Sequence, residues 1–149
     1  MTEGLPVQRV TLVTLGVRDV GRAKAFYAAL GWRPAREMEG VAFYQMQGAA
    51  LALFGLDDLA ADQGRPGAPL GTGAATLAQN FGSETEVDDA FARAEAAGAQ
   101  VLKRPERVFW GGYSGYWADP DGHVWELAVN PSWPLEEDGS LTLPEEPAA

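Results

Sequence analysis

Apolar side chains recur along this chain with two periods, and the changes of period mark its elements. Val20, Ala23, Phe26, Tyr27 and Leu30 form one stripe at helical spacing, with Asp19 as an N-cap before it and Gly31 just after it. Val87, Ala90, Phe91, Ala94 and Ala97 form a second stripe closed by Gly98, with Ser83 or Thr85 as its cap. The two closing glycines are 67 residues apart. Strand-like runs precede the helices at 10–17 and 76–82. Others follow them at 32–37, 41–46 and 50–55, then at 100–104, 113–118 and 124–129. Each half reads β-α-β-β-β, and the shared order predicts a duplication.

Turn chemistry sets the joints. Asp119-Pro120-Asp121-Gly122 lies between two aromatic-rich strands and predicts a three-residue hairpin loop with a bulge at Gly122. Residues 55–73 join the halves: Asp57-Asp58-Leu59-Ala60 reads as a short helical turn and 64–69 as a linker rich in glycine and proline. The predicted organisation is one domain over 8–130, built from modules at about 8–56 and 74–130 with a linker at 57–73. Residues 131–149 read as an acidic, proline-punctuated tail with a mobile end, from which Trp133 and Leu135 pack back on the body.

Composition narrows the function. A chain of 149 residues with 46% apolar and 21% charged residues is that of an ordinary globular protein, able to bury roughly 70% of its unfolded surface. A net charge of −10 argues against nucleic acid and anionic membrane, which need basic patches. No apolar run is long enough for a bilayer, the N-terminus lacks a signal-peptide pattern, and cysteine is absent, so the expected location is cytoplasmic. The single histidine, His123, excludes a site built from several histidines of one chain. It follows a turn glycine and alternates away from Val124, which makes it a structural or exposed residue rather than an acid or base. Gly71-Thr72-Gly73 feeds no helix and is no phosphate loop, and no Gly-x-Ser-x-Gly elbow is present. Glu126 stands inside an apolar strand. It faces either solvent on a half-buried strand or a pocket that needs a carboxylate.

The duplicated frame, the helix end Phe26-Tyr27…Leu30-Gly31, the helix Val87-Asp88…Ala97-Gly98, the run Trp110-Gly111-Gly112-Tyr113-Ser114-Gly115-Tyr116 and the hairpin Asp119-Pro120-Asp121-Gly122-His123-Val124-Trp125-Glu126 resemble the vicinal-oxygen-chelate superfamily. Glyoxalases, bleomycin-resistance proteins and extradiol dioxygenases belong to it. The resemblance covers about residues 8–131 and implies an α+β fold. Two βαβββ modules form a curved mixed-sheet cup, with helices on the convex side. It further implies four metal-ligand positions on the cup strands, filled by His, Gln or Glu.

Glu126 and Gln79 match two of these positions by type. The 67-residue offset takes Gln79 back to Leu12, and aligning Gln47-Gly48 with Asp121-Gly122 takes Glu126 back to Ala52. Leu12 and Ala52 carry no donor, and a slip of two along either strand offers only Thr14 or Ala50. The expectation is therefore no complete metal site and no cofactor. If a divalent metal binds, Gln79 and Glu126 hold it.

The same frame gives an expected ligand set of Gln79, Glu126, Tyr116, Trp110, Tyr113, Phe43, Leu12 and Thr14. With the bulge, Tyr116 lies across from Glu126 while Trp117 and Trp125 face the helices; without it, Trp117 takes the place of Tyr116. Phe43 and Trp110, again 67 apart, close opposite ends, and Gly111–Gly115 forms a lid. The expected function is binding of a small organic molecule, cationic or planar, as in bleomycin-resistance proteins. The alternative is a metal-dependent lyase, isomerase or dioxygenase of the glyoxalase type, with Glu126 as base or ligand. A homodimer is expected, and the cup closes either within one chain or across the dimer.

Overall fold

The computed structural model describes residues 4–145. The last four residues of the tail, whose end reads as mobile, lie outside the described residues. The first half contains β1 (Leu12–Val17), α1 (Val20–Ala29), β2 (Arg36–Met38), β3 (Val41–Gln45) and β4 (Ala50–Gly55). A connecting helix, α2 (Leu56–Asp62), spans the predicted helical turn and extends it at both ends. The second half contains β5 (Thr76–Asn80), α3 (Glu84–Ala96), β6 (Gln100–Arg107), β7 (Tyr113–Ala118) and β8 (Val124–Val129). Each half builds a four-stranded mixed sheet, in the orders β1-β4-β3-β2 and β5-β8-β7-β6.

The helices form where the sequence places their caps. The Asp19 side chain accepts the Arg22 amide, and the Ser83 side chain accepts that of Glu86. Both helices end alike. Gly31 (φ +94°) bonds Ala28 while Trp32 reaches Tyr27; Gly98 (φ +106°) bonds Glu95 while Ala99 reaches Ala94. These paired bonds cover the last carbonyls of each helix, and glycine carries the left-handed turn without a Cβ clash.

One difference between the halves decides the site. The C-terminal bonds repeat at a spacing of 67, but the N-caps Asp19 and Ser83 are only 64 apart. Helix α3 has 13 residues against 10 in α1, close to one extra turn. The strands before the helices therefore follow the shorter spacing. Across the first sheet one row reads Thr14, Ala52, Phe43, Arg36; across the second the matching row reads Ala78, Glu126, Tyr116, Lys103. Leu12 thus corresponds to Thr76, and its expected equivalence with Gln79 is overturned. Three residues is an odd shift, and an odd shift exchanges the faces of a strand.

The opposite faces of the two sheets share one core. Leu15, Val17, Phe26, Tyr27, Tyr44, Leu51 and Leu53 join Val87, Phe91, Trp117, Trp125 and Leu127 in a single buried cluster. Trp117 and Trp125 stack at 5.7 Å, with Phe26 tilted against Trp117 and Trp32 edge-on to Trp125. The predicted orientation of both tryptophans toward the helices is observed.

The Asp119–Gly122 hairpin has its predicted three-residue loop. Gly122 (φ +94°) donates to the Asp119 carbonyl, and the Asp119 amide donates to His123. The motif does more than turn the chain. Asp119 Oδ1 accepts the amides of Asp121 and His123, and its Oδ2 accepts the Tyr27 hydroxyl at 2.6 Å. Trp125 Nε1 donates to the same hydroxyl at 3.1 Å. Asp121 Oδ1 receives Arg18 and Arg22, each at 3.1 Å, and His123 Nε2 lies 2.7 Å from the Gly16 carbonyl. The hairpin of the second half is thereby tied to the β1–α1 corner of the first. His123 holds the structural role expected of it.

Candidate functional site

Sheet alternation puts Ala78, Asn80, Ser114, Tyr116, Glu126 and Ala128 on the face of the second sheet opposite the core. Tyr116 pairs directly with Glu126 across the β7–β8 ladder. Two hollows meet at Glu126. One, of about 520 Å³, lies between Trp110 and Trp133 and is lined also by Asn80, Asn130 and Ser132. The other, of about 380 Å³, lies between Tyr116 and Trp110 on one side and Lys103 and Arg107 on the other. Among the described residues Glu126 is the only charged side chain in the larger hollow, whereas the smaller one brings Lys103, Glu106 and Arg107 to its rim.

Trp110 owes its place to the turn before β7. Val108 donates to Gly112 and Gly111 (φ +91°) to Val108, the same pattern as at Asp119–His123. Gly111–Gly115 is therefore no lid: Tyr113 to Gly115 belong to β7, and the loop is the tight turn Phe109-Trp110-Gly111. That turn leaves Phe109 fully exposed and folds Trp110 over Gly112, where a Cβ would sit 1.7 Å from the indole ring. At Gly115 a Cβ would meet the β6 backbone at 2.8 Å, so this glycine lets the irregular β6 edge close on β7.

Burial raises the Tyr116 hydroxyl above its ordinary value of 10.0, and the nearby Glu126 charge adds to the effect. Tyr116 is thus a neutral hydroxyl at physiological pH, able to donate or accept beside a carboxylate.

Of the expected site residues, the structure brings together Glu126, Tyr116 and Trp110. Gln79 pairs with Leu127 and lies on the core side, away from Glu126, because of the helix-length difference. Tyr113 is also on that side, donating to Asp88 of α3 at 2.7 Å. Phe43 is the row counterpart of Tyr116 rather than of Trp110. Leu12, Thr14 and Phe43 line neither hollow at Glu126; Thr14 lies by the linker with His123, and Leu12 is 44% exposed. Sequence reasoning missed Asn80, Asn130 and Ser132, which carry no distinguishing signal. Trp133 was expected on the body, and it reaches the larger hollow.

The register also revises the four positions implied for a metal. They are Thr14, Ala52, Ala78 and Glu126. One carboxylate, one hydroxyl and two methyl groups do not fit a divalent transition metal. Among the described residues no group of three or more His, Cys, Asp or Glu side chains is placed to hold an ion.

Residues 9–127 match the sequence pattern of the Glyoxalase/Bleomycin resistance protein/Dioxygenase superfamily. A glyoxalase-related enzyme from Fulvimarina pelagi is 40% identical, with 92% of this chain and 99% of that one aligned at a TM-score of 0.86. Lactoylglutathione lyase from Agrobacterium tumefaciens is 25% identical over 88% of this chain and 100% of its own, with a TM-score of 0.68. A superfamily enzyme from Burkholderia phytofirmans, 19% identical over 80% of this chain and 96% of its own, shares the fold at a TM-score of 0.70. No curated protein matches in sequence.

Proposed function

The chain belongs to the Glyoxalase/Bleomycin resistance protein/Dioxygenase superfamily, and from that premise we propose that it binds a small organic molecule at Glu126 without the family metal. The observation that carries this reading is the convergence of two hollows on one carboxylate, flanked by Tyr116, Trp110 and Trp133. The larger hollow has the size of a small-molecule site and aromatic surfaces at its ends. A planar cation suits it: the indoles take the planar body by stacking and cation–π attraction, and Glu126 takes the charge. A second copy of the chain completes the site in this reading, since Leu12, Thr14 and Phe43 stand apart from Glu126 within one chain. Sedimentation at micromolar concentration should then give a mass near twice 15.9 kDa.

The binding test uses tryptophan fluorescence with a panel of planar cations and their neutral isosteres. Glu126→Gln should weaken cation binding about tenfold and leave binding of the isosteres unchanged. Equal effects on both would remove the carboxylate from recognition.

A lyase or isomerase reading draws support from the enzyme names of the similar structures. On it Glu126 abstracts a proton while Tyr116 donates a hydrogen bond. Turnover of an α-ketoaldehyde thiol adduct that disappears in Glu126→Gln would favour it over sequestration.

A further inference from the structure

A cavity of about 320 Å³ opens on the other side of the second sheet, between α3 and the end of α1. Its lining includes Trp117 and Leu127, both buried, with Trp32, Phe81 and Gln79 beside them. At its mouth α3 presents Glu86, Asp89 and Arg93, all exposed and spaced to share a helix face. The strand partners Gln79 and Leu127 place this cavity on the opposite side of the sheet from Glu126.

Three polar features of this cavity lack partners among the described residues. Trp117 is 2% exposed, and among the described residues its Nε1 finds no hydrogen-bond acceptor. An indole N–H can only donate, and this one is closed off from solvent, so a carbonyl in the cavity meets it only through a shift of the Trp117 ring. The Gln79 amide makes no side-chain hydrogen bond among the described residues, although it lines the same space. Asp89 and Arg93 take part in none of the ion pairs among the described residues. Glu86 is partly engaged, reaching the Ser83 hydroxyl at 3.2 Å. Glu86, Asp89 and Arg93 together leave one surplus negative charge at the mouth.

We propose that this cavity is a second small-molecule site, separate from the one at Glu126, for a compact aromatic amine carrying a carbonyl acceptor. Trp32, Phe81 and Leu127 receive the ring. The Trp117 indole N–H and the Gln79 amide receive the carbonyl. Asp89, with Glu86, holds the ammonium group. The volume, at the lower end for ligand sites, limits the ligand to about one ring and a short side chain.

The test follows the tryptophan indole resonances by proton–nitrogen NMR, with Trp117 assigned from Trp117→Phe. Phenylalaninamide supplies all three groups, and 3-phenylpropionamide lacks the amine. The titrations use the full chain carrying Glu126→Gln, which weakens cation binding at the first site, and the Trp110 and Trp133 signals report any binding that remains there. Phenylalaninamide should move the Trp117 indole signal saturably. Its affinity should exceed that of 3-phenylpropionamide at least fivefold, and Asp89→Asn should remove that advantage. Asp89 is exposed, so this variant leaves the core intact. A Trp117 signal that does not move at millimolar phenylalaninamide would overturn the proposal. So would shifts confined to Trp110 and Trp133, or equal affinity for the two compounds.

Discussion

Tyr27 serves two buried partners at once. Its hydroxyl donates to Asp119 and accepts from Trp125. Burial and the Asp119 carboxylate raise its pKa far above the ordinary tyrosine value, so it remains protonated throughout the working range. Tyr27→Phe takes the partner from Asp119 Oδ2 and from Trp125 Nε1 in a dry site and should cost about 1–3 kcal/mol. That should lower Tm by about 2–12 °C in a calorimetric scan. Asp121 next door gives an acid dependence. Burial pushes its carboxyl up, but the amide and guanidinium of Arg18, with Arg22, outweigh that and hold it below 3.8. A depressed folded pKa contributes stability that is present above the ordinary value and lost as pH falls through the folded one. Arg18→Ala should therefore reduce stability near pH 6 and flatten the loss of stability below pH 3.8, as read from urea midpoints across pH. The turn role of Asp119 was legible from Asp-Pro-Asp-Gly, because turn chemistry is local. Its bond to Tyr27 spans 92 residues and has no local signature.

At the scale of elements, both helix ends and the β7–β8 register were legible, because glycine placement and strand alternation act within a few residues. The face of β5 was not. Cap spacing of 64 and end spacing of 67 both occur in this chain, and only the Ser83 cap distinguishes them. Taking the wrong spacing moved Gln79 across the sheet. The three-residue turn closed by a left-handed glycine recurs at 108–112, 119–123 and 136–140. At the first of these, Gly112 gives Trp110 room. Gly112→Ala would drive a methyl group into the indole, and the half-exposed ring would swing out of the groove. The expected result is a several-fold loss of affinity in the fluorescence titration at the Glu126 site, with Tm within about 2 °C of the parent. A large fall in Tm with affinity intact would assign Gly112 to stability instead.

For the whole molecule, the four strand positions at the metal address hold Thr14, Ala52, Ala78 and Glu126, and this gives a direct measurement. A metal present at a thousand times its Kd would add about 4 kcal/mol of stability. EDTA should therefore leave Tm unchanged to within about 1 °C. A fall restored by one specific ion would mean that another copy of the chain supplies the donors. The architecture was legible because duplication repeats every signal. Which hollows form was not, because they depend on how turns and tail meet the sheet.

The bond between Tyr27 and Asp119 also bears on how the molecule is made. During synthesis α1 leaves the ribosome 92 residues before the carboxylate that Tyr27 binds, a delay of roughly 5–20 s. Trp117 and Trp125, against which Phe26 and Tyr27 pack, are equally late. The nascent first half can pack Tyr27 against Trp32 and Tyr44, but Phe26 and Tyr27 lack their partners Trp117 and Trp125 until the last two strands appear. Near-complete nascent chains, not half-length ones, should be the first to resist protease on the ribosome. A gene cut at the linker should yield two pieces that gain structure only when they are produced together.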